Sequence, residues 1–217
     1  MNIKSYFKGK TILVAGGSGF VGKNFVETLL NLDCKVISTL HKRKLSLKHR
    51  NLTLTKCDLQ NLDDCIRVTK NVDIVINAAG MVSAVQMTVN NPMSAISTNL
   101  IITLRILEAC MISNPKKVLL FSSGTTGYPG TSKKMIEPDM FKEEPADIYY
   151  GYGWSRRYTE ILGKFVSMKT NIDISICRPS AVYGIYDDFD PNTSHVIPAL
   201  IKRAVDDENP YIVWGQV

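Results

Sequence analysis

Residues 14–22 read Val-Ala-Gly-Gly-Ser-Gly-Phe-Val-Gly, and the reading of that stretch decides the fold. An apolar run from Thr11 to Ala15 enters three glycines at three-residue spacing, Gly16, Gly19 and Gly22. A helical pattern begins inside them, with Val21, Phe25, Leu29 and Leu30 recurring on one face. Strand, tight loop and helix is the order this predicts. Glycine suits such a loop because a side chain would block the turn, hold the backbone away from an anion, or keep the helix off the strand. The helix start then offers unpaired N–H groups and the positive end of a dipole, which favour a phosphate. A glycine pattern alone is weak, since glycine-rich loops occur in other folds, so the flanks must carry the reading.

Downstream, short apolar runs alternate with longer helical patterns, the signature of a parallel sheet covered on both faces. Strands are predicted at residues 11–15, 35–40, 52–57, 72–77, 117–122 and 172–178, the last stopped by Pro179. Helices are predicted at residues 21–32, 92–112 and 152–168, with a Gly/Pro/Thr-rich loop running to Asp147. The fold class expected is α/β, a Rossmann-like doubly wound parallel sheet whose ligand lies at the C-terminal ends of the strands. Past Pro179 the pattern changes to an Asp/Asn/Pro-rich loop, a short helix over residues 196–204 and a strand over residues 211–214. Residues 1–180 are therefore read as the nucleotide-binding domain. Residues 181–217 are read as the start of a small substrate-binding domain cut short, since a terminal strand is an unusual place for a boundary.

Composition narrows the function classes. The 217 residues, 45% hydrophobic and 21% charged, are ordinary for a globular domain. Five cysteines, Cys34, Cys57, Cys65, Cys110 and Cys177, show no metal-ligand spacing, so no metal is expected and reduced, mostly buried thiols in a cytoplasmic protein are the reading. The N-terminus carries lysines with no apolar run behind them, which argues against a signal peptide. No uninterrupted apolar stretch approaches the roughly 20 residues of a membrane helix, so no membrane partner is expected. Much of the net charge of +6 lies between His41 and Arg50. Without a basic helix or an aromatic-studded groove beside it, that cluster does not suggest nucleic acid.

The cluster gains meaning from its place. In dinucleotide-binding folds an acidic residue about 20 positions past the glycines binds the ribose 2′-hydroxyl. Here the second strand ends instead in His41, Lys42 and Arg43. Cations there suit a 2′-phosphate, which favours NADP and leaves NAD as the alternative. The candidate phosphate cradle is Gly16, Gly17, Ser18, Gly19, Phe20, Val21 and Gly22. Asp58, after the third strand, either accepts a hydrogen bond from an adenine amino group or caps the helix that follows.

Together these residues resemble the extended short-chain dehydrogenase/reductase family, over the whole chain. The family's GxxGxxG matches Gly16, Gly19 and Gly22; its acidic residue plus leucine matches Asp58 and Leu59. Asn77, Ala78, Ala79 and Gly80 resemble its strand-four ending, and Asn99 its helix asparagine. Tyr-Gly-Trp-Ser-Arg-Arg-Tyr-Thr-Glu resembles the YxxxK helix, with Tyr152 as the tyrosine and Arg156 in the lysine's place. Tyr150 is the alternative tyrosine, but four residues on it meets uncharged Trp154. Arg178, Pro179, Tyr183 and Gly184 match RPxxxYG, and the resemblance adds Pro179 and Val182 to the cofactor contacts. The tail around residues 187–203 looks like the GDP-L-fucose synthase branch of nucleotide-sugar enzymes. There His195 takes the place of an epimerising acid, and Arg203 and Trp214 those of nucleotide-sugar contacts. The family usually forms homodimers through the helices after strands four and five, here residues 92–112 and 152–168.

The chemistry implied is hydride exchange with a sugar carbon while a proton moves to or from the sugar oxygen. A phenol of pKa about 10 serves only if a cation favours its phenolate and a hydroxyl holds the sugar oxygen in line. Arg156 supplies the charge, although a planar guanidinium does not simply replace a compact ammonium. The hydroxyl is ambiguous, because Gly124 stands where the family's serine or threonine is expected. In extended backbone Thr126 shares the face of position 124, a bulge would bring in Thr125, and Ser123, read also as a substrate contact, points the other way. Thr126 also occupies the place of the branch's epimerising cysteine, so within an NADP-dependent nucleotide-sugar oxidoreductase of the reductase or epimerase/dehydratase type a 4-keto-sugar reductase is favoured over an epimerase. The alternative is a non-catalytic NADP-binding regulatory protein of the same fold.

Overall fold

The computed structural model describes residues 2–81, 91–130, 134–190, 193–211 and 213. Six parallel strands are assigned: β1 (Thr11–Ala15), β2 (Lys35–Leu40), β3 (Leu52–Lys56), β4 (Ile74–Asn77), β5 (Lys117–Phe121) and β6 (Asp173–Cys177). They form one sheet in the order β3-β2-β1-β4-β5-β6. The helices are α1 (Ile3–Phe7), α2 (Phe20–Asn31), α3 (Leu62–Thr69), α4 (Pro92–Ser113), α5 (Tyr150–Lys169) and α6 (Val196–Val205). Strand order reverses between β1 and β4, whose register pairs Ala15 with Asn77. That reversal opens the crevice in which doubly wound sheets place a ligand.

Alternation along the central strands divides the core into two layers. On β1, Leu13 and Ala15 join Val75, Ile106, Val118 and Val166 in one apolar cluster. Ile12 and Val14 point oppositely and join Val26, Leu29, Val36 and Ile76 in the other. Thus α3, α4 and α5 supply one face and α2 the other. Asp73, just before β4, accepts from the Thr11 N–H at 3.0 Å and pairs with Lys116 at 3.2 Å, which ties β1 and β4 together at the end away from the crevice.

Several expectations shift. Asn61, whose Oδ1 accepts from the Asp64 N–H at 3.0 Å, caps α3; Asp58 does not, and its Oδ1 accepts from the Gln60 N–H at 3.0 Å. β4 starts two residues later than expected, at Ile74, because the chain is still turning through Asp73. The loop before α5 contains two short 3₁₀ turns, Glu137–Phe141 and Asp147–Tyr149. By length and composition α4, from Met93 to Ser113, is apolar enough to cross a membrane, which its interrupted sequence pattern conceals. Its buried Ile102, Ile106, Leu107 and Cys110 pack it into the sheet's core. Four of the five cysteines are buried and Cys177 is exposed. Of the strand expected at residues 211–214, Tyr211 and Val213 are not in a strand, and residues 212 and 214 lie outside the described residues, Trp214 among them.

Candidate functional site

The glycine loop is built by close approach. Gly16 has φ +77°, and a Cβ there would lie 2.6 Å from the Ala79 Cα, so the Ala78-Ala79-Gly80 turn after β4 presses directly on the loop. Gly22 lets the first turn of α2 sit on the Gly16 carbonyl and the Gly17 backbone, and a Cβ on Gly17 would collide with the Ser38 hydroxyl. The Gly16 N–H donates to Thr39 Oγ1 at 2.8 Å, fixing the loop from β2. Gly19 caps α2 with no side-chain hydrogen bond, which leaves the first N–H groups of a 12-residue helix facing outward beside Ser18. Two buried polar atoms under this region, Ser38 Oγ and Asn77 Oδ1, have no partner among the described residues. A glycine-built loop, a helix start with no side-chain cap and orphaned polar atoms fit an anionic dinucleotide.

The flanks of the crevice carry the other residues singled out by sequence. His41, Lys42 and Arg43 form an exposed bend directly after β2. Asp58 is exposed after β3, while the Leu59 side chain is buried in the α3-side core cluster. Asn99, on α4, clamps the turn after β4: its Oδ1 accepts from the Met81 N–H at 2.7 Å and its Nδ2 donates to the Met81 carbonyl at 3.0 Å.

On the opposite side of the crevice, the chain after β5 does not stay extended. Ser123 Oγ accepts from the N–H groups of Thr125 at 3.2 Å and Thr126 at 3.0 Å, and Thr126 Oγ1 lies 2.8 Å from the same oxygen. This is a serine-nucleated turn, so the alternation expected for residues 123–126 fails: Ser123 and Thr126 are adjacent, and Thr125 is exposed. Gly124 is explained by its neighbours. Its N–H donates to the Pro179 carbonyl at 2.6 Å, and a Cβ would approach the Arg178 and Pro179 oxygens to 2.8 Å. No serine or threonine fits there without displacing the end of β6.

Helix α5 presents Tyr152 and Arg156 one turn apart, both half-buried. An Arg156 Nη2 hydrogen donates to the Tyr152 hydroxyl in a short contact, and the guanidinium carbon stands 4.6 Å from the centre of the Tyr152 ring. The cation meets the phenol by both its edge and its face. Tyr150 is exposed, and Trp154, four residues after it, donates to Glu144 at 2.7 Å. Gly153 brings α5 onto the Ser123 turn, since a Cβ there would strike the Thr126 carbonyl and come within 2.7 Å of Pro145.

Two arginines hold this arrangement, and periodicity identified neither as a core residue. Arg178 pairs with both carboxylate oxygens of Glu160, at 2.8 and 2.7 Å, and donates to the Tyr128 hydroxyl at 3.2 Å and the Glu137 carbonyl at 2.7 Å. The Glu160 bonds, then Tyr128, hold Arg178 above the ordinary arginine range against its own desolvation. Arg157 is only 1% exposed, and its Nε donates to the Gly127 carbonyl at 2.7 Å. Desolvation pulls its guanidinium below the ordinary value, opposed by Glu144. The signal available in the sequence was Gly153 itself, since a glycine inside a helix marks close approach.

Past β6 the chain folds back over α2. Asn24 Nδ2 donates to the Ile185 carbonyl at 2.9 Å, Tyr186 donates to Glu27 at 2.7 Å, and Lys23 Nζ lies 3.4 Å from the Tyr186 ring centre. Phe20, Val21, Val182 and Tyr183 thereby line one groove of about 340 Å³, and half-buried Pro179 borders the Ser123 turn through Gly124. His195 caps α6 and is exposed. Asp188 is held below the usual carboxylate range by bonds from the Thr193 hydroxyl and the Asp190 N–H, with Arg43 and His195 adding smaller attraction. Arg203 pairs with Glu208.

Residues 12–217 match the NAD dependent epimerase/dehydratase family. Similar curated proteins include a GDP-L-colitose synthase of Yersinia pseudotuberculosis, 27% identical over 89% of this chain and 60% of its own. A GDP-L-fucose synthase of Sinorhizobium fredii is 28% identical over 95% of this chain and 64% of its own. Among solved structures, a UDP-N-acetylglucosamine 4-epimerase from Methanobrevibacter ruminantium, in complex with UDP-N-acetylmuramic acid, superposes with a TM-score of 0.82 at 26% identity, covering 96% of this chain and 66% of that one. The chain thus spans about two thirds or less of the length of these relatives.

Proposed function

The chain belongs to the NAD dependent epimerase/dehydratase family, and from that premise we propose that it is an NADP-dependent oxidoreductase of nucleotide-linked sugars, acting as a 4-keto-sugar reductase. The observation that carries the reading is the Tyr152–Arg156 contact on α5, set beside a turn that pairs the Ser123 and Thr126 hydroxyls. When bound, the cofactor supplies or accepts the hydride. Gly16 to Gly22 and the α2 N-terminus would hold its phosphates, His41, Lys42 and Arg43 would attract a 2′-phosphate, and Asn99 fixes the turn after β4 that borders the glycine loop.

Tyr152 donates the proton to the sugar oxygen as the carbonyl is reduced, and Arg156 stabilises the phenolate that remains. Ser123, backed by Thr126, holds the sugar oxygen in line. Threonine at position 126 offers no thiol for proton abstraction from a carbon, which supports reduction over epimerisation. His195, Arg203 and Trp214 are assigned to the nucleotide sugar. The exposed apolar faces of α4 (Ile101, Leu104, Ile112) and α5 (Ile161, Phe165, Met168) support pairing with a second copy. These last assignments, with residues 181–217 as part of a substrate domain, rest on the family resemblance.

The test is single-turnover oxidation of NADPH with a panel of GDP-, UDP- and dTDP-linked 4-keto sugars. Substrate-dependent loss of NADPH absorbance is expected, abolished by Tyr152→Phe with NADPH affinity kept within about twofold. Tight NADPH binding with no turnover across the panel would instead mark a regulatory binding protein.

A further inference from the structure

Arg157 is a buried cation that bonds no carboxylate among the described residues. Its guanidinium carbon lies 4.9 Å from the Trp154 ring centre and 5.6 Å from that of Phe141, Nε donates to the Gly127 carbonyl at 2.7 Å, and Nη2 has no partner among the described residues. A methionine or leucine would fill the same space without the cost of desolvating a charge, so packing alone does not account for arginine here. Besides its contacts with the two rings, arginine adds the bond to Gly127. Gly127 is the residue after Thr126, whose hydroxyl meets Ser123. The other end of that turn is fixed from β6 by the Gly124-to-Pro179 bond. Met140 packs against Gly127, where a Cβ would meet its methyl group.

We propose that Arg157 is a positioning residue for the Ser123–Thr126 hydroxyl pair, holding the turn to the same helix that carries Tyr152. The inference rests on the reading that Tyr152 and that pair handle the sugar oxygen. Tyr152 and Arg157 lie five residues apart on α5, about 7.5 Å along a rigid helix axis. Phenol and hydroxyl therefore share one mount, and a displacement of α5 moves both together.

The side-chain geometry supplies a controlled comparison. Glutamine's amide nitrogen is as many bonds from Cα as arginine's Nε, so Arg157→Gln keeps the donor and discards the charge. Arg157→Met discards both. In hydrogen exchange, Arg157→Met is expected to speed the Thr125 and Thr126 amides, both bonded to Ser123, at least tenfold, with α5 amides unchanged and NADPH affinity within twofold. Arg157→Gln is expected to restore their protection. With a turned-over 4-keto sugar, Arg157→Met should lower kcat about tenfold or more with the KM for NADPH unchanged, and Arg157→Gln should recover most of it. Equal exchange in wild type and Arg157→Met, equal kcat, or an Arg157→Gln variant as impaired as Arg157→Met each overturns the proposal. So does failure of Arg157→Met to fold, which would make the bond a requirement of the fold. Loss of protection in a protein that turns over nothing faults the catalytic reading, whereas unchanged protection in an active enzyme faults Arg157, so the two failures are told apart.

Discussion

Ser123 Oγ accepts the backbone N–H groups of Thr125 and Thr126, which take its two lone pairs, and Thr126 Oγ1 lies 2.8 Å from the same oxygen. With its lone pairs occupied from behind, Ser123 keeps its own O–H hydrogen to donate. That suits a group holding a sugar carbonyl oxygen, which can only accept. Ser123→Ala removes this donor and also strips two amides of their partner, whereas Thr126→Val leaves Ser123 and both amides in place. The expected result is a fall in kcat of about 10² or more for Ser123→Ala and of less than about tenfold for Thr126→Val. Equal losses in steady-state kinetics of the two variants would refute this division of labour.

A second prediction concerns the loop. Gly17 has no room for a Cβ, because the Ser38 hydroxyl occupies that space, and at Gly22 a Cβ would overlap the Gly16 carbonyl. Since the Gly16 carbonyl is backbone and Ser38 is a side chain that can rotate, Gly22→Ala should harm the loop more than Gly17→Ala. NADPH fluorescence titration is expected to show affinity lost by about a hundredfold or more for Gly22→Ala, and by clearly less for Gly17→Ala. Wild-type affinity in Gly22→Ala would remove the loop from the binding site.

How far the sequence reaches can be judged from these same residues. Thr11–Ala15 and Lys35–Leu40 emerge with the expected bounds because buried parallel strands are short apolar runs stopped by loop residues, and both properties are local. The Ser123 turn is misread because alternation was carried beyond the end of β5, although a serine followed by free amides two and three residues on can close a turn. Arg157 and Glu160 are missed for a different reason. They share the buried stripe of α5 with Gly153, Gly163 and Val166, yet a periodicity reading sends charged side chains to solvent. Their partners, Gly127 and Arg178, lie 30 and 18 residues away, so only tertiary contact satisfies them.

A third prediction follows from that stripe. The Glu160 carboxylate is 9% exposed and Arg178 19%, and the pair joins α5 to the end of β6. Removing one partner leaves an uncompensated buried charge, which costs about 3 kcal/mol. Glu160→Gln keeps the shape but abolishes the charge pairing and leaves Arg178 uncompensated. Its unfolding midpoint in urea should fall accordingly, and the double variant with Arg178→Met should recover part of the loss, because neither charge then remains buried alone. A double variant less stable than both single ones would refute the argument.

The last prediction sets a pH window at the other end of the sheet. The Thr11 N–H, foremost, and Lys116 hold the Asp73 carboxyl below its usual value. A depressed native pKa means that the unfolded chain binds the proton more readily, so stability rises with pH across the interval. The contribution is complete above the unfolded value of about 4 and is lost as pH falls through the native one. Asp73→Asn retains an acceptor oxygen for Thr11 but has no charge to titrate, so the contribution it lacks is the one that acid removes from the wild type. Near neutral pH it should be less stable by about 1 kcal/mol, a charge-assisted bond replaced by a neutral one at a site 31% exposed. Once the pH has fallen below the native value the two proteins should converge, because the wild-type carboxyl is then protonated as well. Urea unfolding followed from pH 7 to pH 2.5 measures the difference directly, and a gap that stays constant over that range would show that Asp73 contributes through packing and not through its charge.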